Sequence, residues 1–228
     1  MKNEQLEVPN LTSKLRKDLV FSPPVIQNAS GIQLFGQTIK SIIYTTDVAV
    51  IANCDADAIL AVYPWTPNTR ILQAISCVAN VPFLAGIGGG LTKGLRSVTI
   101  GRFAEEMGAN GVVLNAPTSH KSIMAVSKGI DVPVFYTVVN NEVNLKKLIQ
   151  LGVNAFNVAG GKETAKLVYW IREELEKEYP NFPIIASGGH TDASIQETID
   201  AGANAITFSA SSLTDKIFKK KMELYRSK

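Results

Sequence analysis

The sequence has only two cysteines, Cys54 and Cys77, and two histidines, His120 and His190. Two cysteines cannot build a disulfide framework. No Cys, His, Asp or Glu cluster has metal-ligand spacing, so neither a structural zinc nor an obligatory metal is expected. The cysteines read as reduced core thiols of a cytoplasmic protein. No apolar run approaches the ~18 residues of a membrane span, and the polar, charged start MKNEQLEVPNLTSKL does not read as a secretory signal. Neither sign of charge is in excess: 23 Lys and Arg stand against 20 Asp and Glu, a net +3. That balance is too mild to argue for nucleic acid. The one basic cluster, Lys216, Lys219, Lys220, Lys221 and Arg226, reads as the solvated face of a last helix.

What the sequence does have is apolar residues in a regular rhythm. Hydrophobic residues make up 46% and charged residues 19% of the 228, a globular composition for one sizeable core. Residues 1–38 read as an irregular N-terminal extension, with a short helix expected at 12–19 before Pro23-Pro24. From residue 39 short apolar runs alternate with segments of helical period. Strands are expected at 39–44, 58–63, 82–87, 111–115, 133–138, 155–158, 183–186 and 205–208. Helices are expected at 48–53, 68–79, 97–107, 119–127, 141–151, 162–179, 193–200 and 213–225. The runs are apolar throughout, as strands buried on both faces must be. Strict alternation means a parallel sheet with right-handed crossovers. Eight units over residues 39–228 fit one α/β domain, a (β/α)8 TIM barrel. A doubly wound open sheet would show a Gly-rich fingerprint after the first strand, where Tyr44-Thr45-Thr46-Asp47 stands instead. "EEMGANGVVL", "IQLGVNAFNV" and "IDAGANAITF" form a weak internal repeat. In each, a Gly (Gly108, Gly152, Gly202) closes a helix and an Asn turns the chain into the next strand at the bottom of the barrel.

Function in such a barrel belongs to the C-terminal ends of the strands. The sixth strand runs into Gly160-Gly161, the seventh into Gly188-Gly189 and the eighth into Ser209-Ala210-Ser211-Ser212. These three loops are neighbours in a closed barrel. Glycines let backbone N–H groups approach a ligand, and Ser209, Ser211 and Ser212 add amides and hydroxyls at a helix start. Together they read as a cup for the phosphate of a ligand; the alternative is that the glycines only make tight turns. Candidates for chemistry are few. Lys93 lies in "GIGGGLTKG", which reads as a mobile lid hinged on Gly88, Gly89 and Gly90. It is either an anion-closing or acidic lysine or a solvated one. His190, after Gly188-Gly189, either shuttles a proton or faces solvent. Asp47 is either a base or the cap of the next helix. Asn115, Asn140, Thr137 and Tyr63 offer neutral hydrogen bonds.

The stretch "PIIASGGHTDASIQETIDAGANAITFSASS" resembles the last quarter of the phosphate-binding, ribulose-phosphate-type TIM barrels. These include indole-glycerol-phosphate synthase, thiamine-phosphate synthase and the phosphate end of FMN-linked barrels. The layout of the whole chain is most similar to the glycerol-3-phosphate-responsive antiterminator family, from which it departs at "GIGGGLTKG". The sixth strand of the superfamily's Schiff-base aldolases carries a lysine; "NAFNVAGG" has none.

The reading that follows is a barrel that binds a small phosphorylated metabolite and acts on it as an isomerase, lyase or hydrolase, with Lys93, His190 and Asp47 as acid–base groups. A non-catalytic phosphometabolite sensor is the alternative that the antiterminator resemblance implies, and an FMN-binding barrel is a third. No other cofactor is expected. The expected partners are the phosphorylated ligand and a second copy of the chain in a homo-oligomer, rather than a membrane or nucleic acid.

Overall fold

In a computed structural model of the chain, which describes residues 9, 11, 19–90 and 92–226, the expected alternation closes on itself. A hairpin of β1 (Ile32–Leu34) and β2 (Gln37–Ile39) comes first. The barrel strands are β3 (Ser41–Tyr44), β4 (Ala58–Ala61), β5 (Phe83–Gly89), β6 (Gly111–Asn115), β7 (Val134–Val138), β8 (Ala155–Val158), β9 (Ile184–Ser187) and β10 (Ala205–Ser209). They pair in parallel in the cyclic order β10-β3-β4-β5-β6-β7-β8-β9. The helices α1 (Val48–Ile51), α2 (Thr69–Val78), α3 (Leu95–Glu106), α4 (His120–Gly129), α5 (Leu145–Gln150), α6 (Thr164–Leu175), α7 (Asp192–Asp200) and α8 (Ser211–Arg226) each follow one strand. The helix expected at 12–19 lies, apart from Leu19, outside the described residues.

Because side chains alternate across a strand, each strand supplies two cores. One set, including Ile43, Ile59, Val112, Leu114, Phe156 and Ile206, packs outward against helix residues such as Leu72, Ile75, Val168 and Ile171. The other set fills the barrel: Ile42, Ala58, Leu60, Leu84, Val113, Phe135, Ala155, Ile185 and Ala205. This two-sided burial is why the strands read as unbroken apolar runs. Each fully buried large side chain contributes about 1.5–3 kcal/mol.

The bottom of the barrel is closed by the hairpin, whose Ile32, Leu34 and Ile39 belong to the interior cluster. The residues before Ser41 are thus less irregular than the sequence suggested. The signal was easy to miss: both strands have three residues, and the turn is Phe35-Gly36, with φ of 48° and 82°. Two positive φ angles match the twist of a two-residue hairpin, a geometry usually filled by Asn-Gly. Ile39, expected to open the first barrel strand, ends the hairpin instead.

The repeated Asn residues act as latches at this end. Asn110, Asn154 and Asn204 accept the backbone N–H of Phe83, Val134 and Ile184 at 3.1, 2.8 and 2.9 Å, the residues at which β5, β7 and β9 begin. Each Asn amide also donates to the carbonyl of the same residue. The preceding Gly108, Gly152 and Gly202 take φ of 86°, 100° and 108°. Arg172 completes the third latch. Its guanidinium donates to Gly202 O, Phe182 O and Asn204 Oδ1 at 2.7–2.9 Å, and burial pushes its pKa below the usual value.

The cysteine expectation needs correction. Cys77 is exposed and Cys54 half-buried. In α2 the buried stripe is Leu72 and Ile75, and two residues beyond Ile75 the helix has turned Cys77 away from the barrel.

Candidate functional site

One layer above the apolar filling, the inward positions of the strands form the floor of the mouth. Two residues beyond the interior residue of each strand stand Tyr44, Val62, Gly86, Asn115, Thr137, Asn157, Ser187 and Thr207. The six strands β6, β7, β8, β9, β10 and β3 therefore carry an unbroken polar arc, and β4 and β5 carry none of it. No side chain at these positions is charged. Along the arc Asn157 Nδ2 donates to Thr137 Oγ1 at 3.1 Å, and Thr137 Oγ1 donates to Asn115 Oδ1 at 2.8 Å. Farther round, Thr207 Oγ1 donates to Ser187 Oγ at 3.5 Å. Between these two runs Asn157 Oδ1 is buried and accepts no hydrogen bond from the described residues. Asn157 and Thr207 were missed from the sequence. The available signal was a polar residue at a buried position inside an apolar run, as in "AFNV".

On the β4–β5 side the mouth opens into a cleft of about 310 Å³ lined by Tyr63, Trp65, Pro67, Gly86, Gly90 and Asn115, among others. Tyr63 is held by Asn68, whose backbone N–H donates to its hydroxyl at 2.7 Å. Burial pushes the Tyr63 phenol above its usual pKa. Asn140 lies outside the mouth on an exposed turn, accepting from Glu142 N.

The segment expected to be a hinged lid is tied down. Gly88 and Gly89 continue β5. A Cβ on Gly89 would stand 2.0 Å from Asn115 O, so this glycine permits a close strand approach rather than a hinge. Gly89 N and Thr92 N bond each other's carbonyls, Gly90 N donates to Pro117 O, and Gly94 N donates to Ser122 Oγ. Thr92 is buried, and Lys93 is exposed.

The cup loops follow β8, β9 and β10, three adjacent strands, so the topology gathers them. Within them the glycines divide. Gly188 is buried and its N–H donates to Thr207 O at 3.1 Å; a Cβ there would meet Ile206 and Ile195 at 2.6 and 2.8 Å. Gly160 N donates to Thr164 Oγ1 at 3.1 Å. These two serve packing and the turn, and their amides are engaged within the chain. Gly161 and Gly189 are exposed, with φ of 62° and 77°, and no hydrogen bond to their amides is made by the described residues. Gly189 leads into α7, whose N-terminus is held by a capping box of Thr191 and Ser194. Ser209 ends β10, and Ser211 and Ser212 open α8; the side chains of those last two lie outside the described residues.

The three acid–base candidates are not brought together. Counting round the barrel, the loop after β5 with Lys93 stands opposite the loop after β9 with His190. The loop after β3 with Asp47 lies midway between them. His190 is exposed. Asp47 caps α1, its Oδ1 accepting from Ala49 N at 2.8 Å and Val50 N at 3.4 Å. Among the described residues no group of His, Cys, Asp and Glu could hold a metal ion, and no helix is long and apolar enough to cross a membrane.

The architecture makes this chain a TIM barrel, and solved structures share that fold. A 2,3-dimethylmalate lyase of the PEP mutase/isocitrate lyase superfamily superposes with a TM-score of 0.61 at 11% identity, covering 89% of this chain and 84% of that one. Dihydrodipicolinate synthase of Bacillus anthracis gives 0.57 at 18%, covering 82% and 75%. Phosphonopyruvate hydrolase gives 0.59 at 10%, covering 82% and 80%. At such identities the likeness is one of fold. No family model matches the chain. In sequence, 87 residues are 37% identical to thiamine-phosphate synthase of Oceanobacillus iheyensis, a stretch that makes up 35% of this chain and 42% of that protein.

Proposed function

We propose that the barrel binds a small phosphorylated metabolite, with the phosphate over β8–β10 and the rest of the molecule on the polar arc. It acts on that metabolite as a lyase, isomerase or hydrolase. The observation that carries this reading is the convergence of three adjacent loops in which the Gly161 and Gly189 amides are exposed and unengaged, beside the start of α8. Oriented N–H groups at helix starts favour anions. The partial match to a thiamine-phosphate synthase, 37% identical over 87 residues, supports a phosphorylated ligand. In this reading Lys93, His190 and Asp47 reach the bound compound from three sides of the rim. There Lys93 donates a proton, His190 moves one near the phosphate, and Asp47 accepts one on the carboxylate oxygen not used by its cap.

The wide spacing of those three groups and the uncharged arc favour a second reading, a phosphometabolite sensor without turnover. Binding separates neither, so the experiment has two stages. A phosphorylated compound at a hundred times its Kd adds about 2.7 kcal/mol of stability. For a chain of this size that raises Tm by about 5–10 °C, and its dephosphorylated analogue should do nothing. Gly161→Asp should abolish the shift. An added Cβ at Gly161 meets nothing within 4 Å, Asp tolerates a left-handed backbone, and its carboxylate repels the anion. A panel of sugar and triose phosphates that leaves Tm unmoved would remove the proposal. Consumption of a binding compound then separates enzyme from sensor, and a yellow purified protein would assign the cup to FMN.

A further inference from the structure

The phosphate proposal says nothing about the other end of the ligand, and Asn157 does. Asn157 is 6% exposed and sits on β8, in the middle of the polar arc. Its Nδ2 is committed to Thr137 Oγ1, whose one proton goes on to Asn115 Oδ1. In this relay Oδ1 faces away from Thr137, and that oxygen has no donor among the described residues. A buried acceptor left without a donor is costly, and native interiors rarely retain one. A ligand carrying O–H or N–H at this depth satisfies it.

The arc also states what it does not fit. Tyr44, Asn115, Thr137, Asn157, Ser187 and Thr207 include no cation, and Val62 and Gly86 complete the ring without one. A carboxylate entering here gives up its hydration with no positive partner and meets the lone pairs of Asn157 Oδ1. We infer that Asn157 is a specificity-determining residue: its Oδ1 accepts a hydrogen bond from an O–H or N–H of an uncharged ligand body, so the mouth selects phosphorylated alcohols over the corresponding phosphorylated acids. This rests on the phosphate reading for the ligand's other end.

Two matched pairs test it by titration calorimetry: glycerol 3-phosphate against 3-phosphoglycerate, and glucitol 6-phosphate against 6-phosphogluconate. Within each pair only a CH2OH is exchanged for a carboxylate. Inorganic phosphate is the reference. In at least one pair the alcohol should bind about tenfold or more tighter than its acid, the scale of one unpaired buried polar group. Asn157→Leu should weaken that alcohol about tenfold while leaving inorganic phosphate and the acid unchanged. If Asn157→Leu does not fold, Asn157→Ala makes the same test. Acids that bind as well as their alcohols in both pairs overturn the inference. So does an alcohol unaffected in a folded Asn157 variant. Inorganic phosphate that binds while no alcohol binds tighter overturns the inference and leaves the phosphate cup standing. Absence of any binding, inorganic phosphate included, removes the cup and the inference together.

Discussion

Asparagine serves opposite purposes at the two ends of this barrel. At the bottom, Asn110, Asn154 and Asn204 each pair with a strand-opening residue through both side chain and backbone, and Arg172 locks the last of them. At the mouth, the side chains of Asn115 and Asn157 bond only to Thr137 among the described residues, and Asn157 Oδ1 is left with no donor among them. The same residue type latches the backbone at one end and leaves an acceptor open at the other. The bottom is built to be stable by itself, and the top is built to meet something else, the division between stability face and functional face expected of such barrels.

Substitutions at four positions would break or sharpen that contrast. The largest effect is expected from Arg172→Ala, which strands Gly202 O, Phe182 O and one lone pair of Asn204 Oδ1. About 3 kcal/mol should be lost, lowering Tm by about 6–12 °C with ligand affinity unchanged at a temperature where the variant is folded. Asn154→Ala leaves the N–H of Val134 unpaired and should cost about 2 kcal/mol, or about 4–8 °C in a calorimetric scan. Asn157→Ala should move stability by less than about 1 kcal/mol, because it removes one hydrogen bond together with an unsatisfied acceptor. Equal destabilisation by Asn154→Ala and Asn157→Ala would dissolve the distinction between the two ends. The smallest expected effect on stability is that of Asp47→Asn. Asp47→Ala removes a cap worth about 1 kcal/mol, whereas Asp47→Asn caps equally well. Unchanged Tm with lost turnover in Asp47→Asn would give the carboxylate a role in chemistry; unchanged turnover leaves it a cap.

The barrel was legible because burial on both faces writes itself into each strand as an apolar run. "VVL", "VFYTV" and "IIA" hold their places in the observed order, and the Gly of each "G-x-N" motif holds its left-handed turn. The function of the Asn was half legible: its position was plain, but its bond reaches back 20 to 27 residues, to the start of the strand before. The hairpin was missed because three-residue strands carry too little pattern and because Phe35 occupies a turn position that Asn normally fills. The segment around Lys93 read as a lid because glycines suggest freedom; here Gly89 serves a close contact with Asn115 that no local pattern records.

The alternation of eight strands and helices, the identity of the rim loops and the scarcity of charged groups near the strand ends were determined by sequence alone, since each depends on residues adjacent along the chain. Barrel closure decided the rest. It set Lys93 and His190 on opposite sides and joined the loops after β8, β9 and β10. It engaged the Gly188 amide with Thr207 O on β10. It also buried Asn157 Oδ1 where no donor among the described residues reaches it. These outcomes turn on hydrogen bonds and contacts between segments far apart in sequence, whose partners are defined only once the strands have found their register.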